Sequence, residues 1–567
     1  MRTETIPATP GPRPGSRGRR GQGARRGALA GLLACGAALG AAELLAGLVG
    51  GQSSPPVAVG GAAIDATPEW LKEFAIRTFG ERDKLALLAG MAVVLAGFAV
   101  AVGLLAVRRP RLGLAGVALL GAAGAAAALT RPGAGLLDAL PSLAGAVAGS
   151  AALLALVRAG SAREPRPRAP FSDPAPGSGP RWGSGADAET PRPGLSTAPS
   201  GTATAPLGTP GAGVDRRRFL LTGALVAGGA VAAGAGGRLL ARRSDVTASR
   251  AAVAIPAPAS AAGPLAEGAA VELPGLSSFY TPNRDFYRVD TALVVPRITA
   301  GDWRLRVHGR VRRELELDFR ELLARPLMER DITLSCVSNE VGGGYVGTAR
   351  WTGVPLADLL REAGVEAGAD QLVSRSADGF TIGTPTAVVL DGRDAMLAVA
   401  MNGEPLPLTH GFPVRMLVPG LYGYVSATKW LVDLELTSFG DFDPYWVRRG
   451  WARQAPVKTM SRIDTPRPLA RLAAGQVAVA GVAWAQHRGI RRVEVRADGG
   501  PWRPARLAAE HSADTWRQWV WPWEATPGRH TLEVRATDGT GATQPEDRAP
   551  PFPDGATGWH SVVVNVT

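Results

Sequence analysis

Four stretches of this 567-residue sequence are too long and too apolar to behave as ordinary surface helices: Ala28 to Gly50, Leu85 to Val107, Leu112 to Leu129 and Leu137 to Val157. Each is close to the roughly 20 residues a helix needs to cross a bilayer core, and only Glu43 and Asp138 place acids in them or at their edges. Residues 27–157 are therefore expected to form four transmembrane helices, and any folded domain must lie beyond them.

The arginines set the expected orientation. Residues 1–26 carry seven Arg against Glu4, the turn after the second run holds Arg108, Arg109 and Arg111, and residues 158–218 carry nine Arg against five acids. These three stretches hold the whole formal excess of +13, so the charge reads as a positive-inside signal and not as a nucleic-acid face. The 1–26 tail and the 158–218 segment are expected on the cytoplasmic side. The latter is rich in Pro, Gly, Ser, Thr and Ala, as in a disordered linker. In the first outer loop, "PEWLKEFAIRTFG" spaces Trp70, Leu71, Phe74, Ala75 and Phe79 as an interfacial helix would. A fifth apolar stretch, 219–240, comes after Arg216 and Arg217, which reads as a twin-arginine-like export signal or a further membrane helix. Both readings put the C-terminal half of the chain outside, after a spacer at 241–270.

Two cysteines, Cys35 and Cys336, allow no disulfide framework, and no C-x-x-C or C-x-x-C-H occurs. All six histidines lie at His308 or later, so bis-histidine haem in the helical region is not expected.

From about Val271 the pattern changes. "WRLRVHGRV", "LELDF" and "DITLSC" alternate as strands, while "FRELLARP" and "VPLADLLREAG" read as short helices closing at Pro326 and Gly364. Residues 271–455 are expected to be α+β. Beyond them "VAVAGVAWA", "RRVEVRAD", "WRQWVWPWEA", "HTLEVRATD" and "HSVVVNV" predict an immunoglobulin-like β-sandwich over 456–567.

Five motifs in this half occur in one order: "FYTPNRDFY" (Phe279 to Tyr287), "LSCVSN" (Leu334 to Asn339), "TARWTGVPL" (Thr348 to Leu356), "MNGEPLPLTHGFPVRMLVPG" (Met401 to Gly420) and "ATKWL" (Ala427 to Leu431). Together they resemble the sulfite oxidase family of molybdenum enzymes, whose dimerisation domain would correspond to the sandwich. The resemblance implies a molybdenum–molybdopterin cofactor without a nucleotide, with Cys336 supplying the protein's thiolate to the metal. A soft thiolate suits such a sulfur-ligated metal, and a single protein ligand leaves positions open for substrate. It also implies that Asn283, Phe286, Tyr287, His410, Arg415, Ser426, Thr428 and Lys429 hold the cofactor, the last three at its terminal phosphate. Arg350 and Tyr422 are further catalytic candidates, with Asn339, Trp351 and Tyr424 near them. Arg350 either points into the pocket or pairs with a structural acid.

Two arginines that bind anionic substrate in animal and plant members are replaced by Pro282 and Val341, which favours a neutral or sulfoxide-like substrate over sulfite. The expectation is thus a multi-pass membrane oxidoreductase that transfers an oxygen atom on a small molecule at the external face. An unidentified external electron partner serves it, nucleic acid plays no part, and a homodimer is possible. The alternative is a non-catalytic surface adhesion or scaffold protein that uses the sandwich.

Overall fold

The computed structural model describes residues 16–49, 53–68, 71, 74, 78, 83–131, 134–160, 213–241 and 246–567. Most of the expected interfacial helix, of the basic tail and of the linker lies outside them.

The described residues fall into two units. The first is helical and draws on α1 (Ser16–Val49), α3 (Asp83–Arg108), α4 (Pro110–Leu129), α5 (Leu140–Gly160) and α6 (Gly213–Ala241), α2 being Pro55–Ala66 of the second unit. Among the described residues, five helices are long and apolar enough to cross a membrane, at Gly23–Val49, Lys84–Arg108, Pro110–Leu129, Leu136–Ala159 and Arg217–Leu240. Large apolar side chains such as Val93, Val94, Leu119, Val147 and Leu225 point outward, as lipid contact requires, while Ala30, Ala34, Val102, Leu153, Leu156 and Phe219 form the interior. Small residues set the α1–α3 crossing. A Cβ on Gly31 would run into the carbonyl of Ala99, and one on Gly103 into the carbonyl of Gly27, so the two backbones meet directly.

The second unit contains Ala46–Ala86, Ala126–Ala139 and Arg238–Thr567. Its first sheet has the order β2 (Leu315–Asp318), β1 (Arg304–Gly309), β10 (Leu431–Thr437), β5 (Gln371–Ser376) and β6 (Thr381–Pro385), with β1 and β10 parallel. The second runs β3 (Met328–Ser335), β4 (Val346–Pro355), β7 (Met396–Met401) and β8 (Glu404–Pro405), with β9 (Arg415–Leu417) also on β7. The expected short helices form at Phe319–Leu323, opened by an Asp318/Glu321 capping box, and at Leu356–Ala363, closed by Gly364 at φ 71°.

The C-terminal strands make two further sheets. One orders β11 (Met460–Thr465), β13 (Gly475–Trp484), β17 (Arg517–Ala525) and β16 (Arg506–Leu507). The other orders β12 (Arg471–Leu472), β19 (His560–Val566), β18 (Gly528–Asp538), β14 (Ile490–Ala497) and β15 (Arg503–Pro504). Val479, Val493, Trp519, Leu532, Val534 and Val564 fill the shared core between them.

Two segments differ from the sequence expectation. No strand longer than an isolated bridge forms between Val271 and Trp303, and that stretch is irregular but packed. The expected 241–270 spacer is described from Val246, which is fully buried. Arg250 ties it down by pairing with Glu404 at 2.6 Å and donating to the Leu406 carbonyl at 2.9 Å. Weak apolar content hid this anchoring, because backbone acceptors and one ion pair hold the segment.

Candidate active site

The last five residues of β3 are buried, and Cys336 comes directly after them. Its N–H donates to the Tyr345 carbonyl at 3.0 Å, which extends the β3–β4 ladder by one step before the chain turns. Asn339 closes that turn: its N–H reaches the Cys336 carbonyl at 3.1 Å and its Oδ1 accepts from Tyr345 N at 2.8 Å. Asn339 thus has the structural task of presenting Cys336. Burial pushes the Cys336 thiol up, opposed by hydrogen bonds from Ser338 and the charge of Lys429. A metal bound there would have to displace this proton.

Around the thiol, "TPNRDFY" supplies an aromatic wall. Phe286 stacks on Tyr287 with centroids 5.2 Å apart, and meets Trp351 edge-on at 5.8 Å and His410 at 5.7 Å. Tyr287 also tilts against Tyr345. Burial and the neighbouring Cys336 hold the Tyr287 hydroxyl protonated. Asn283 does not offer a free amide: its side chain donates to Glu404 at 2.6 Å and Met401 O at 3.1 Å and accepts from Asn402 at 2.8 Å. Its carbonyl instead faces His410 Nε2 at 3.2 Å. Burial, with Arg415 and Lys429 nearby, brings His410 down to about 4, so it is neutral near pH 7.

Arg415 is 5% exposed and lies over the Trp351 ring at 5.1 Å. Its Nη1 donates to the His410 carbonyl at 3.2 Å, but its Nε has no partner, and among the described residues no carboxylate pairs with it. Burial lowers it to about 10, with Tyr287 opposing. A buried, half-satisfied guanidinium is costly in isolation and fits a site built for an external acceptor. Lys429 lies in the same region, lowered by burial to about 8 even though Asp290 accepts from it at 2.6 Å. Burial would raise Asp290, yet Lys429, Lys84 and Arg288 together hold its carboxyl well below the usual range.

Other expected residues turn elsewhere. Arg350 pairs with the carboxylate of Asp331 through Nε at 2.9 Å and Nη2 at 2.8 Å and also reaches Gly263 O, so it takes the structural-acid alternative. The Ser426 hydroxyl donates to the Leu421 and Tyr422 carbonyls, and that of Thr428 lies 2.5 Å from Ser374 Oγ. The Ala427 N–H likewise donates to Gly423 O at 2.9 Å, which leaves Lys429 as the charged side chain of this loop. The Tyr422 hydroxyl accepts from Lys458 N at 3.3 Å and is pushed up to about 12 by burial, and Tyr424 donates to Ala452 O. Trp351 is fully buried and donates to Ile332 O. Asp290, Arg288, Ser338 and Tyr345 were not anticipated. The only sequence sign of the first two is that "RVD" continues the "NRDFY" motif.

Among the described residues no group of three or more His, Cys, Asp or Glu could hold a metal ion. The model of the oxidoreductase molybdopterin binding domain matches residues 292–446. Sulfite oxidase of Gallus gallus is 33% identical over 322 residues, which cover 48% of this chain and 69% of that protein. The chain belongs to the sulfite oxidase family. Mitochondrial sulfite oxidase of Rattus norvegicus, another member, is 31% identical over 51% of this chain, and the match spans 62% of its length. An uncharacterized oxidoreductase of Bacillus subtilis (strain 168) is 34% identical over 149 residues, 26% of this chain and 72% of that protein. Among solved structures, the sulfane dehydrogenase SoxCD of Paracoccus pantotrophus aligns at 25% identity with a TM-score of 0.46, covering 52% of this chain and 88% of that one. The family's cofactor is molybdenum–molybdopterin, and the Cys336 thiol, the aromatic wall and the buried Arg415, with its unfilled Nε, fit it. These likenesses lend no support to the adhesion or scaffold alternative.

Proposed function

We propose that this protein is a membrane-anchored oxidoreductase that transfers an oxygen atom to or from a small molecule at the external face of the membrane. The observation that carries this reading is the placement of a buried Cys336 thiol beside a cationic, aromatic-walled site whose Arg415 has no acceptor for its Nε. Bound molybdopterin would supply the metal, its dithiolene sulfurs and the two-electron chemistry.

The chain's own residues do the rest. Cys336 is the metal's protein ligand, held in place by the Asn339 turn. Phe286 and Tyr287 would wall the pterin, and neutral His410 and cationic Arg415 would offer it hydrogen bonds. Lys429 and the loop at 426–428 would hold the terminal phosphate, a cation being what a phosphate needs. With Pro282 and Val341 where substrate-binding arginines would stand, the pocket favours an uncharged, sulfoxide-like substrate. Arg350 has its donors on Asp331 and Gly263 and does not replace them. Electrons pass to or from a separate external partner.

Residues 27–157 and 219–240 anchor the chain, the pair Arg216–Arg217 marks the export signal, and the 456–567 sheets serve as an immunoglobulin-like dimerisation module. The experiment is metal and pterin analysis of full-length protein matured with intact cofactor synthesis. About one molybdenum per chain is expected, together with a thiolate-to-metal absorption band that Cys336→Ser abolishes while the fold persists. Metal-free protein from such cells, or a band unchanged in the Ser variant, refutes the assignment.

A further inference from the structure

The matched family domain begins at residue 292, and a cation from the N-terminal part of the chain bonds to its first residue. Lys84, in the first turn of α3, donates to Asp290 Oδ1 at 2.7 Å and to the backbone carbonyls of Asp290 at 3.1 Å and Ala292 at 2.7 Å. The other oxygen of the same carboxylate accepts from Lys429 at 2.6 Å and from Arg288 Nε at 2.8 Å. Asp290 is only 5% exposed through its side chain and Lys429 10%, so neither charge is screened as a surface pair would be.

A second contact fixes the same N-terminal segment. Asp65, at the end of α2, accepts from Tyr445 Oη at 2.9 Å, pairs with Arg449 at 3.3 Å and is held from the other side by Arg131 at 2.7 Å. Segment 46–86 is thereby tied to the oxidoreductase domain at two separated points.

We propose that Lys84 is a positioning residue for the cofactor's phosphate clamp, acting on Lys429 through Asp290, so that the segment joining the first helices governs how firmly the pterin is retained. This rests on the reading of Lys429 as the phosphate ligand. Lys429 Nζ donates to Asp290 at 2.6 Å and lies 3.4 Å from Thr409 O, and an ammonium has a third proton to give. A carboxylate bound to Lys429 alone would cancel its charge and weaken its hold on a phosphate monoester. Because Lys84 and Arg288 share that carboxylate, Lys429 keeps a positive potential toward the ligand. The Lys84 bonds to the 290 and 292 carbonyls also prevent Asp290 from following Lys429 into the site.

The test uses the full-length protein, matured with intact cofactor synthesis and purified in detergent. Pterin per chain is read from the fluorescent oxidation product, together with the rate of pterin release. Lys84→Met is expected to release pterin about tenfold faster, Lys84→Arg to stay within about twofold of wild type, and Asp290→Asn to remove the effect of Lys84→Met in the double variant. The melting temperature of each cofactor-free variant checks folding. Lys84→Met that holds pterin as wild type does overturns the proposal, as does an equal effect of Lys84→Met in the Asp290→Asn background. Wild-type protein without any pterin overturns instead the assignment of Lys429 on which it rests.

Discussion

Replacing Asp331 by alanine should damage the fold more than any surface substitution, and the structure gives the size of the effect. Its carboxylate is 1% exposed and accepts four hydrogen bonds: Arg350 Nε at 2.9 Å, Arg350 Nη2 at 2.8 Å, Tyr280 Oη at 2.9 Å and His511 Nε2 at 2.7 Å. These partners come from β4, from the segment before the first strand and from the C-terminal region, so one side chain pins three parts of the chain. Removing one member of such a pair strands the other and costs about 3–5 kcal/mol. Arg350 is 26% exposed and water recovers part of its loss, which places the effect near the lower end, about 3 kcal/mol. For a unit of this size that corresponds to a fall of roughly 4 °C in the melting transition. The assay is thermal unfolding of the full chain in detergent, followed by tryptophan fluorescence. Trp516 reports on this junction, because its backbone N–H donates to Thr333 Oγ1 on the same strand. Asp331→Ala combined with Arg350→Met should recover part of the loss by removing the stranded guanidinium. Burial raises the Asp331 carboxyl, but Arg350, Tyr280 and His511 outweigh it and hold it low. The native carboxyl is therefore below its unfolded value, and the wild-type advantage is complete above about pH 4 and shrinks as acid approaches the lowered native value. A penalty under about 1 kcal/mol at neutral pH would refute the reasoning.

Two further outcomes are expected. His410 falls from 6.5 to about 4 on folding, chiefly through burial, so the unfolded chain binds the extra proton and stability of the cofactor-free protein should rise with pH between about 4 and 6.5. His410→Gln should flatten that slope, worth about 1.4 kcal/mol per pH unit, in melts recorded at pH 4.5 and 6.5. Gly353→Ala would place a Cβ against the Leu397 carbonyl and 2.7 Å from Ala398 Cα, forcing β4 and β7 apart; a loss of about 1–3 kcal/mol should appear as a lower melting temperature.

Much of the architecture was legible because it is written in local periodicity. The described parts of the apolar runs at 28–50, 85–107, 112–129, 137–157 and 219–240 lie on the five long helices, and "RRVEVRAD", "HTLEVRATD" and "HSVVVNV" lie on β14, β18 and β19. A period of 3.6 or 2 and the length of an apolar run depend only on neighbours in sequence, so they survive without any knowledge of the fold. The position of Cys336 at the end of a buried strand was readable in the same way.

Tertiary structure alone decided where the charged and polar side chains went. The β3–β4 register sets Asp331 opposite Arg350, and that carboxylate takes two of its donors. Ser426 and Thr428 lost their hydroxyls to Leu421, Tyr422 and Ser374, while Arg415 kept a donor unfilled. Lys84 found Asp290 across 206 positions of chain. An ion pair or hydrogen bond is chosen by what lies within about 3 Å once the core has packed, and no local pattern encodes that.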